Sequence, residues 1–331
     1  MPPSRALVLA AHGSRVHPAG ALVRAYAEAA RVRGGFDEAV ATFWKEAPFF
    51  RDVLGMLTAD EVTVVPFFTS AGYYCRTVLP REMKLSGAAG TPTATDRGWS
   101  PLLQYRRPPR RIRCTAPLGE HSGMRRLIRR RVTDALRAHG LPREETCVVL
   151  VGHGTRREPR SGELTLRHAD ALRRAGVARE VCALFLDQPP EIETALVATL
   201  QPSLIVVPYL IGRAGHEIED LPRRMGLRPG LGRQEVCGRC VVCTRAVGED
   251  PAIVAMILDL AASARTSSSK GPGTQSYTIT TDPEGVVSSQ ENRDARRPLQ
   301  GHIGFIRTLS GGVAPGYCRS AFQAGGHGGR E

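Results

Sequence analysis

Two halves of this chain repeat each other. Four segments of the first half return in the second: ALVLAAHGSR as VVLVGHGTR, FWKEAP as FLDQPP, VVPFF as VVPYL, and LPREMKL as LPRRMGL. His153 follows His12 by 141 residues, and the other three pairs are each separated by 142. Matches in so constant a register predict two copies of one fold, side by side.

A fifth match locates the boundaries of the two copies. CTAPLGEHSGM (114–124) corresponds to CTRAVGEDPAI (243–253), but the separation here is 129, so the first copy holds about 13 additional residues. We assign this Pro- and Arg-rich insertion to about 87–113 of a first half-domain, 1–140. The second half-domain is 141–265.

The strands of each copy predict an α/β fold. They are continuous apolar runs, such as ALVLAA in the first copy and VVLVG in the second, and helix-length segments separate them. Strands without polar alternation are typical of a parallel sheet that helices cover on both faces. In such sheets ligands bind beyond the carboxyl ends of the strands. We therefore expect the site at this edge, in the cleft between the halves.

Two histidines follow matched strands at that edge. His12 and His153 each precede a glycine, Gly13 or Gly154, which permits a sharp exit from the strand. A single His-Gly pair is weak evidence, because many such histidines only bond to nearby backbone. Two of them at matched strand ends of a duplicated fold indicate a functional site more strongly.

The second copy carries a further histidine, His216, in the glycine-rich bend GRAGH, where the first copy has Tyr74. Neutral imidazoles suit borderline divalent metal ions and also act as bases near neutral pH. His153 and His216 are therefore candidate metal ligands and catalytic residues, and His12 is a further candidate catalytic residue that a shared cleft could recruit. Glu219 can share the helix face of His216 as a further metal ligand, or it can act only as a dipole partner at the start of that helix.

The net charge of +13 is concentrated in one segment. Between Arg97 and Arg137 there are 12 arginines against two acidic residues, Glu120 and Asp134. Such a run is compatible with a solvated helix face, an anionic ligand or nucleic acid. Nucleic acid is disfavoured because no aromatic residues alternate with the arginines, as a stacking platform requires.

Other features narrow the class of protein. No apolar run approaches the ~20 residues of a membrane span, and the first apolar run is too short for a secretory signal. We expect a cytoplasmic protein whose eight cysteines are thiols or metal ligands. Walker loop, dinucleotide fingerprint and G-x-S-x-G nucleophile elbow are absent from the sequence.

Segment 266–331, rich in Ser, Gly and Thr, is predicted to be a low-complexity, disordered tail.

The strand–HGS and strand–HGT units, with VVPYLIGRAGHEIEDLP, resemble the CbiX-type sirohydrochlorin chelatases of the class II, ATP-independent chelatase superfamily. The resemblance implies insertion of Co²⁺ or Fe²⁺ into sirohydrochlorin, an anionic tetrapyrrole, on the way to cobalamin or sirohaem. The family's paired histidines fall on His153 and His216, one as metal ligand and one as proton acceptor, with Glu219 assisting. The first copy keeps His12 but has Tyr74, which implies one working site and one degenerate copy. The arginine run would then bind carboxylates of the macrocycle.

A cysteine cluster is a second candidate metal site. VCGRCVVC places Cys237, Cys240 and Cys243 at C-x2-C-x2-C spacing, which iron–sulfur and some zinc sites use. A structural role is the alternative for Cys243, because it aligns with Cys114. We expect a metal centre, with iron–sulfur ahead of zinc, and resemblance to a longer chelatase subgroup with a cysteine cluster implies [4Fe-4S]. The fourth ligand is open between a non-protein group and Cys75, Cys114, Cys147 or Cys182.

Two functions are therefore considered. The first is a sirohydrochlorin chelatase that acts through His153 and His216. The second is a non-catalytic iron–sulfur redox or metal-sensing protein on a chelatase scaffold, and the spacing of the cysteines does not separate the two.

Overall fold

The structure is a computed structural model that describes residues 2–14, 20–85, 110–156, 162–211 and 221–266, together with the backbone of 275–281 and 287–288. These residues all belong to one compact unit, Met1–Asn292. The second unit, Arg293–Glu331, lies outside the described residues.

The first half alternates strands with helices. In chain order its elements are β1 (Arg5–Ala11), α1 (Ala21–Gly34), β2 (Glu38–Phe43), α2 (Phe50–Met56), β3 (Glu61–Pro66), a π-helical turn (Tyr74–Val78), α3 (Leu79–Glu82), β4 (Arg110–Cys114) and α4 (Gly123–His139). Residues 110–113, which the sequence assigned to the insertion, thus belong to β4.

The second half follows the same plan, with a 3-10 turn (Ile192–Thr194) in place of α2. Its elements are β5 (Thr146–Gly152), α5 (Glu163–Arg174), β6 (Glu180–Phe185), β7 (Ser203–Pro208), β8 (Gly232–Val236), β9 (Arg239–Cys243) and α6 (Ile253–Thr266). Two further strands, β10 (Gln275–Thr281) and β11 (Val287–Ser288), come after it.

The strand orders of the two sheets are the same, which confirms the duplicated α/β fold. The parallel strands of the first sheet lie in the order β2-β1-β3-β4, and those of the second in the order β6-β5-β7-β9. Each sheet also has an antiparallel strand on its last parallel strand, β10 on β4 and β8 on β9.

Strand β10 was not expected from the composition of the segment that contains it. The predicted tail begins at residue 266, yet Gln275–Thr281 pairs with all of β4. The run TITT within it consists of β-branched residues, which favour a strand when an unpaired edge is available. The rest of the predicted tail, apart from β11, lies outside the described residues.

Both faces of each sheet are buried, which explains the continuous apolar runs of the strands. Along β5, Val148 and Leu150 face a central core, whereas Cys147 and Val149 face an outer core, and all four have no exposed surface. The central core also contains Leu9 of the first sheet. The two halves therefore share one core.

The last helix of each half packs on the other half. Helix α4 contacts β7 and α5, and α6 contacts β3 and α1. Because each half supplies a layer of the other, neither is covered by its own helices alone.

A group of ion pairs links the two halves where the last helix of each packs on the other. Arg130 and Arg131 of α4 each place an Nη2 atom 2.8 Å from the carboxylate of Asp250, just before α6. Arg131 also donates to the carbonyl oxygens of Arg245 and Ala246. Two members of the arginine run thus link the halves, although the side chain of Arg130 is still 55% exposed. In the part of the chain that the structure describes, no helix has the length and apolarity to span a bilayer.

Candidate functional site

The two strand-end histidines have the same local geometry. His12 follows β1 and His153 follows β5, and the next residue in each case, Gly13 or Gly154, has φ of 69°. The ring Nδ1 lies 3.0 Å from the Gly13 carbonyl oxygen in the first half and 2.9 Å from that of Gly154 in the second. A carbonyl oxygen can only accept, so Nδ1 carries the hydrogen. In the neutral ring Nε2 therefore has the lone pair that a metal ligand or a base needs.

Matched contacts support these loops. The carboxylate of Glu46 accepts a hydrogen bond from the Ser14 N–H (3.0 Å), and the side-chain oxygen of Gln188 accepts one from the Thr155 N–H (2.9 Å). Glu46 and Gln188 are equivalent residues of FWKEAP and FLDQPP. The loop after the second strand of each half thus fixes the residue that follows His-Gly.

In the first half Tyr74 contacts His12 directly. Its hydroxyl lies 3.2 Å from His12 Nε2 and donates to it, since Nδ1 holds the ring hydrogen. The two rings meet edge to face with centroids 5.0 Å apart, and Phe68 stacks on Tyr74 at 5.8 Å. The Nε2 lone pair of His12 therefore accepts a hydrogen bond from the Tyr74 hydroxyl.

In the second half an acidic side chain lies beside the histidine. Asp187 Oδ2 is 3.4 Å from His153 Nδ1, and the side chain of His153 is 47% exposed. The equivalent residue of the first half is Lys45. The sequence reasoning missed Asp187, although comparing FLDQPP with FWKEAP, residue by residue, would have revealed the change of charge.

A cavity of about 690 Å³ adjoins this loop. Charged groups of both signs line it: Arg156, Asp187, Glu191, Glu193 and Arg224. Arg224 is held by Glu193 (2.7 Å) and by the Leu186 carbonyl oxygen (2.7 Å), whereas the Arg156 side chain is 76% exposed and 3.3 Å from Glu191. The cavity can thus accept a ligand with both anionic and cationic parts.

The other predicted site residues, His216 and Glu219, fall in 212–220, outside the described residues. The chain enters this segment next to the site, because Tyr209 N–H donates to the carbonyl oxygen of Val151 (2.7 Å), two residues before His153. Ile211 and Leu221, which bound the segment, are both buried.

The predicted cysteine centre does not fit this structure. Cys237 and Gly238 form the two-residue turn between β8 and β9, with φ of 50° and 71°, and Cys237 is exposed. Cys240 and Cys243 lie three residues apart on β9 and therefore point to opposite faces: Cys240 enters the central core and Cys243 the outer core. Burial raises the pKa of Cys243 to about 11. In this structure the three thiols do not converge on one [4Fe-4S] cluster or zinc ion.

Three of the candidate fourth ligands, Cys114, Cys147 and Cys182, lie on other strands than Cys240 and Cys243. Cys114 is buried in the outer core of the first half, and Cys147 and Cys182 lie next to one another on β5 and β6. Among the described residues, no set of three His, Cys, Asp or Glu side chains is grouped to hold a metal ion.

Other arginines of the basic run pair with local acids. Arg111 and Arg113 lie 2.8 and 3.4 Å from the carboxylate of Glu61. The arginines of the run before residue 110 lie outside the described residues.

The structure is a duplicated α/β fold with a histidine directly after the first strand of each half. The CbiX family profile matches residues 6–135 and 147–264. A protein of Halobacterium salinarum, described as a probable sirohydrochlorin cobaltochelatase, is 34% identical over 274 residues, which cover 78% of this chain and 91% of the relative. The chain therefore belongs to the CbiX family, a family of metal chelatases, as the sequence motifs predicted.

Solved structures agree with this assignment. DR2241 from Deinococcus radiodurans, described as multi-domain with structural similarity to chelatases, has a TM-score of 0.58 and 29% identity; the match covers 82% of this chain and 57% of that one. CbiX, described as the terminal enzyme of siroheme biosynthesis in denitrifying bacteria, has a TM-score of 0.59, 23% identity and coverage of 78% and 99%. Bacillus subtilis SirB with Fe³⁺ has a TM-score of 0.57, 20% identity and coverage of 80% and 97%. The last two likenesses concern the fold alone.

Proposed function

We propose that this protein is a sirohydrochlorin chelatase, which inserts Co²⁺ or Fe²⁺ into the macrocycle without ATP. Family membership and the cobaltochelatase description of the Halobacterium relative support the reaction class. The observation that carries the proposal is the His153 ring, whose Nδ1 bonds to the Gly154 carbonyl oxygen and whose Nε2 is thereby the metal-binding or basic nitrogen. We also infer a cytoplasmic location, since the seven described cysteines are free thiols.

Metal insertion has two chemical requirements. The incoming ion must exchange water for ligands that release it again, and two pyrrole protons must leave the macrocycle. Neutral imidazole meets both requirements, as a borderline ligand and as a base near neutral pH. His153 and His216 divide these duties in our proposal, and Glu219 assists as a further ligand.

Asp187 adds an electrostatic contribution to the binding of a proton or a metal ion at His153. A carboxylate beside Nδ1 stabilises the imidazole when it carries a proton or a metal ion. It also orients the ring, together with the Gly154 carbonyl. Arg156, exposed at the mouth of the adjoining cavity, is a candidate partner for a substrate carboxylate.

The direct test is an anaerobic insertion assay. The purified chain is mixed with sirohydrochlorin and Co²⁺ or Fe²⁺, and the absorption spectrum of the tetrapyrrole is followed. We expect acceleration over the uncatalysed rate with at least one metal. His153→Ala and His216→Ala should each lower the rate by roughly 100-fold or more, since each removes a ligand or a base. Tyr74→Phe is the matched control and should keep the wild-type rate.

Absence of acceleration with both metals would overturn the proposal. A rate that falls as much in Tyr74→Phe as in His216→Ala would overturn the assignment to the second half. The alternative iron–sulfur redox or sensor protein has no supporting observation, since the three cysteines of VCGRCVVC do not converge.

A further inference from the structure

Cys147 and Cys182 form a pair of thiols in the second half. They lie on the neighbouring parallel strands β5 and β6, where the Cys147 thiol donates a hydrogen bond to the Cys182 sulfur, with the two sulfur atoms 3.8 Å apart. Both face the outer core of the second sheet, where Cys147 is fully buried and Cys182 is partly exposed. Cys147 stands six residues before His153, which corresponds to about 20 Å along an extended strand. The pair is therefore separate from the proposed chelatase site.

The packing of the fold does not require these thiols. Cys147 is in register with Glu180, and its counterpart Ala6 is in register with Glu38. Likewise Cys182 pairs with Val149, and the first half has Val40 at that position. The first sheet thus fills the same two places with Ala and Val. The thiols distinguish the second half.

The register disfavours a disulfide. Because Cys147 pairs with Glu180 and Cys182 with Val149, the two cysteines are diagonal neighbours. With parallel strands about 4.8 Å apart and a rise of about 3.3 Å per residue, the Cα atoms of such neighbours lie roughly 8 Å apart. A disulfide usually needs Cα atoms within about 7 Å, so this pair would have to move its backbone to form one.

The sulfur separation suits a shared metal ion. Two metal–thiolate bonds of about 2.3 Å that meet at a tetrahedral angle hold their sulfur atoms about 3.8 Å apart. Soft thiolates select thiophilic ions. The carboxylate of Glu180, next to the pair, is held by the Thr199 hydroxyl and by the Gln201 amide (2.7 Å), and its charge favours a cation nearby.

We propose that Cys147 and Cys182 form a two-thiolate binding site for a thiophilic d10 metal ion of the Zn²⁺ class. On binding, each S–H bond releases its proton to solvent and each sulfur forms one bond to the metal, with no change of oxidation state. Water reaches the other coordination positions only from the side of Cys182, because Cys147 has no exposed surface. The ion enters beside Cys182, the partly exposed member on β6.

The probe is Cd²⁺, whose thiolate complexes have an ultraviolet charge-transfer absorption. The reduced, metal-free full chain is titrated with Cd²⁺ under anaerobic conditions. We expect the band to saturate at one ion per chain. The double variant Cys147→Ala with Cys182→Val copies the first half, so it should fold, and its band should fall to background.

Two controls isolate the site. Cys237→Ser removes an exposed thiol and should leave the band unchanged. His153→Ala should also keep it, since nitrogen ligands make no thiolate band, so this result is independent of the insertion assay. A band that persists in the double variant would overturn the proposal. So would absence of a band in the wild type, or a Cys147–Cys182 disulfide found by peptide mapping of the metal-free chain.

Discussion

Asp187 lies beside His153 and makes two contacts with it, one through its side chain and one through its backbone. Its Oδ2 is 3.4 Å from the ring Nδ1, and its backbone N–H donates to the carbonyl oxygen of His153 (2.9 Å). In the first half the Lys45 N–H makes the same backbone contact with His12 (2.9 Å). The two halves thus hold side chains of opposite charge at equivalent positions. A carboxylate here favours a metal-bound or protonated imidazole, and an ammonium group disfavours both.

Asp187→Lys, which copies the first half, should lower both the insertion rate and the affinity for Co²⁺ by roughly 10–100-fold. Initial rates at varied Co²⁺ concentration and calorimetric titration of the metal measure the two effects. Lys45→Asp is the matched control and should leave the rate unchanged, because Tyr74 already holds Nε2 of His12. Equal losses in the two variants would contradict an electrostatic role for Asp187.

The first half should gain a metal site when it receives the residues of the second. In Tyr74→His with Lys45→Asp, the phenol that bonds to His12 is replaced by imidazole and the nearby positive charge becomes negative. We expect the number of Co²⁺ ions bound per chain to rise by one, measured by equilibrium dialysis. In Tyr74→Phe the stoichiometry should stay at the wild-type value. An unchanged stoichiometry in the double variant would show that the degenerate copy lacks more than these two residues.

The duplicated architecture was predictable from the sequence for a physical reason. Strands buried on both faces must be apolar throughout, so β1 and β5 appear as continuous runs, and their constant offset reveals the copy. The strand-end position of His12 and His153 follows from the same pattern. The packing of α4 and α6 on the opposite half was not predictable, because the apolar face of an amphipathic helix does not specify which sheet it covers.

The cysteine centre expected from the spacing is not shown by the structure, because spacing has a different meaning on a strand. In a loop, C-x2-C can bring two thiols together, but a step of three residues along β9 sends Cys240 and Cys243 to opposite faces. A signal for the hairpin was present: Cys237-Gly238 is a two-residue turn flanked by strand-forming residues. Asp187 was missed because one carboxylate after an apolar strand is common, and the signal that distinguishes it is its replacement by Lys45 in the first half.

Asp250 should contribute strongly to the stability of the packing between the two halves. Its carboxylate is almost buried and accepts from both Arg130 and Arg131, so Asp250→Ala leaves the partly buried guanidinium of Arg131 without its carboxylate partner. We expect the free energy of unfolding to fall by roughly 3 kcal/mol, measured by urea denaturation. Asp134→Ala removes an exposed pair with Arg137 (3.8 Å) and should cost no more than about 0.5 kcal/mol. Similar losses in both variants would contradict this role.

His168 should make the fold sensitive to mild acid. It corresponds to Tyr26 of the first half, packs edge to face on Tyr209 with ring centroids 4.9 Å apart, and is buried. Its Nε2 has no hydrogen-bond partner among the described residues. Burial, reinforced by the charge of Arg125, lowers the pKa of His168 from 6.5 to about 4. The folded protein therefore keeps this ring neutral where the unfolded chain already protonates it.

The sign of the effect follows from proton uptake. Between pH 6.5 and pH 4 the unfolded state binds a proton at His168 and the folded state does not. The free energy of unfolding therefore keeps its full contribution from this residue above pH 6.5 and falls as the pH decreases toward 4. The loss from this residue should be roughly 3 kcal/mol. Urea denaturation at a series of pH values measures it. His168→Phe should flatten the dependence over this interval, whereas His139→Gln, at the partly exposed end of α4, should not. An unchanged slope in His168→Phe would assign the acid sensitivity to other groups.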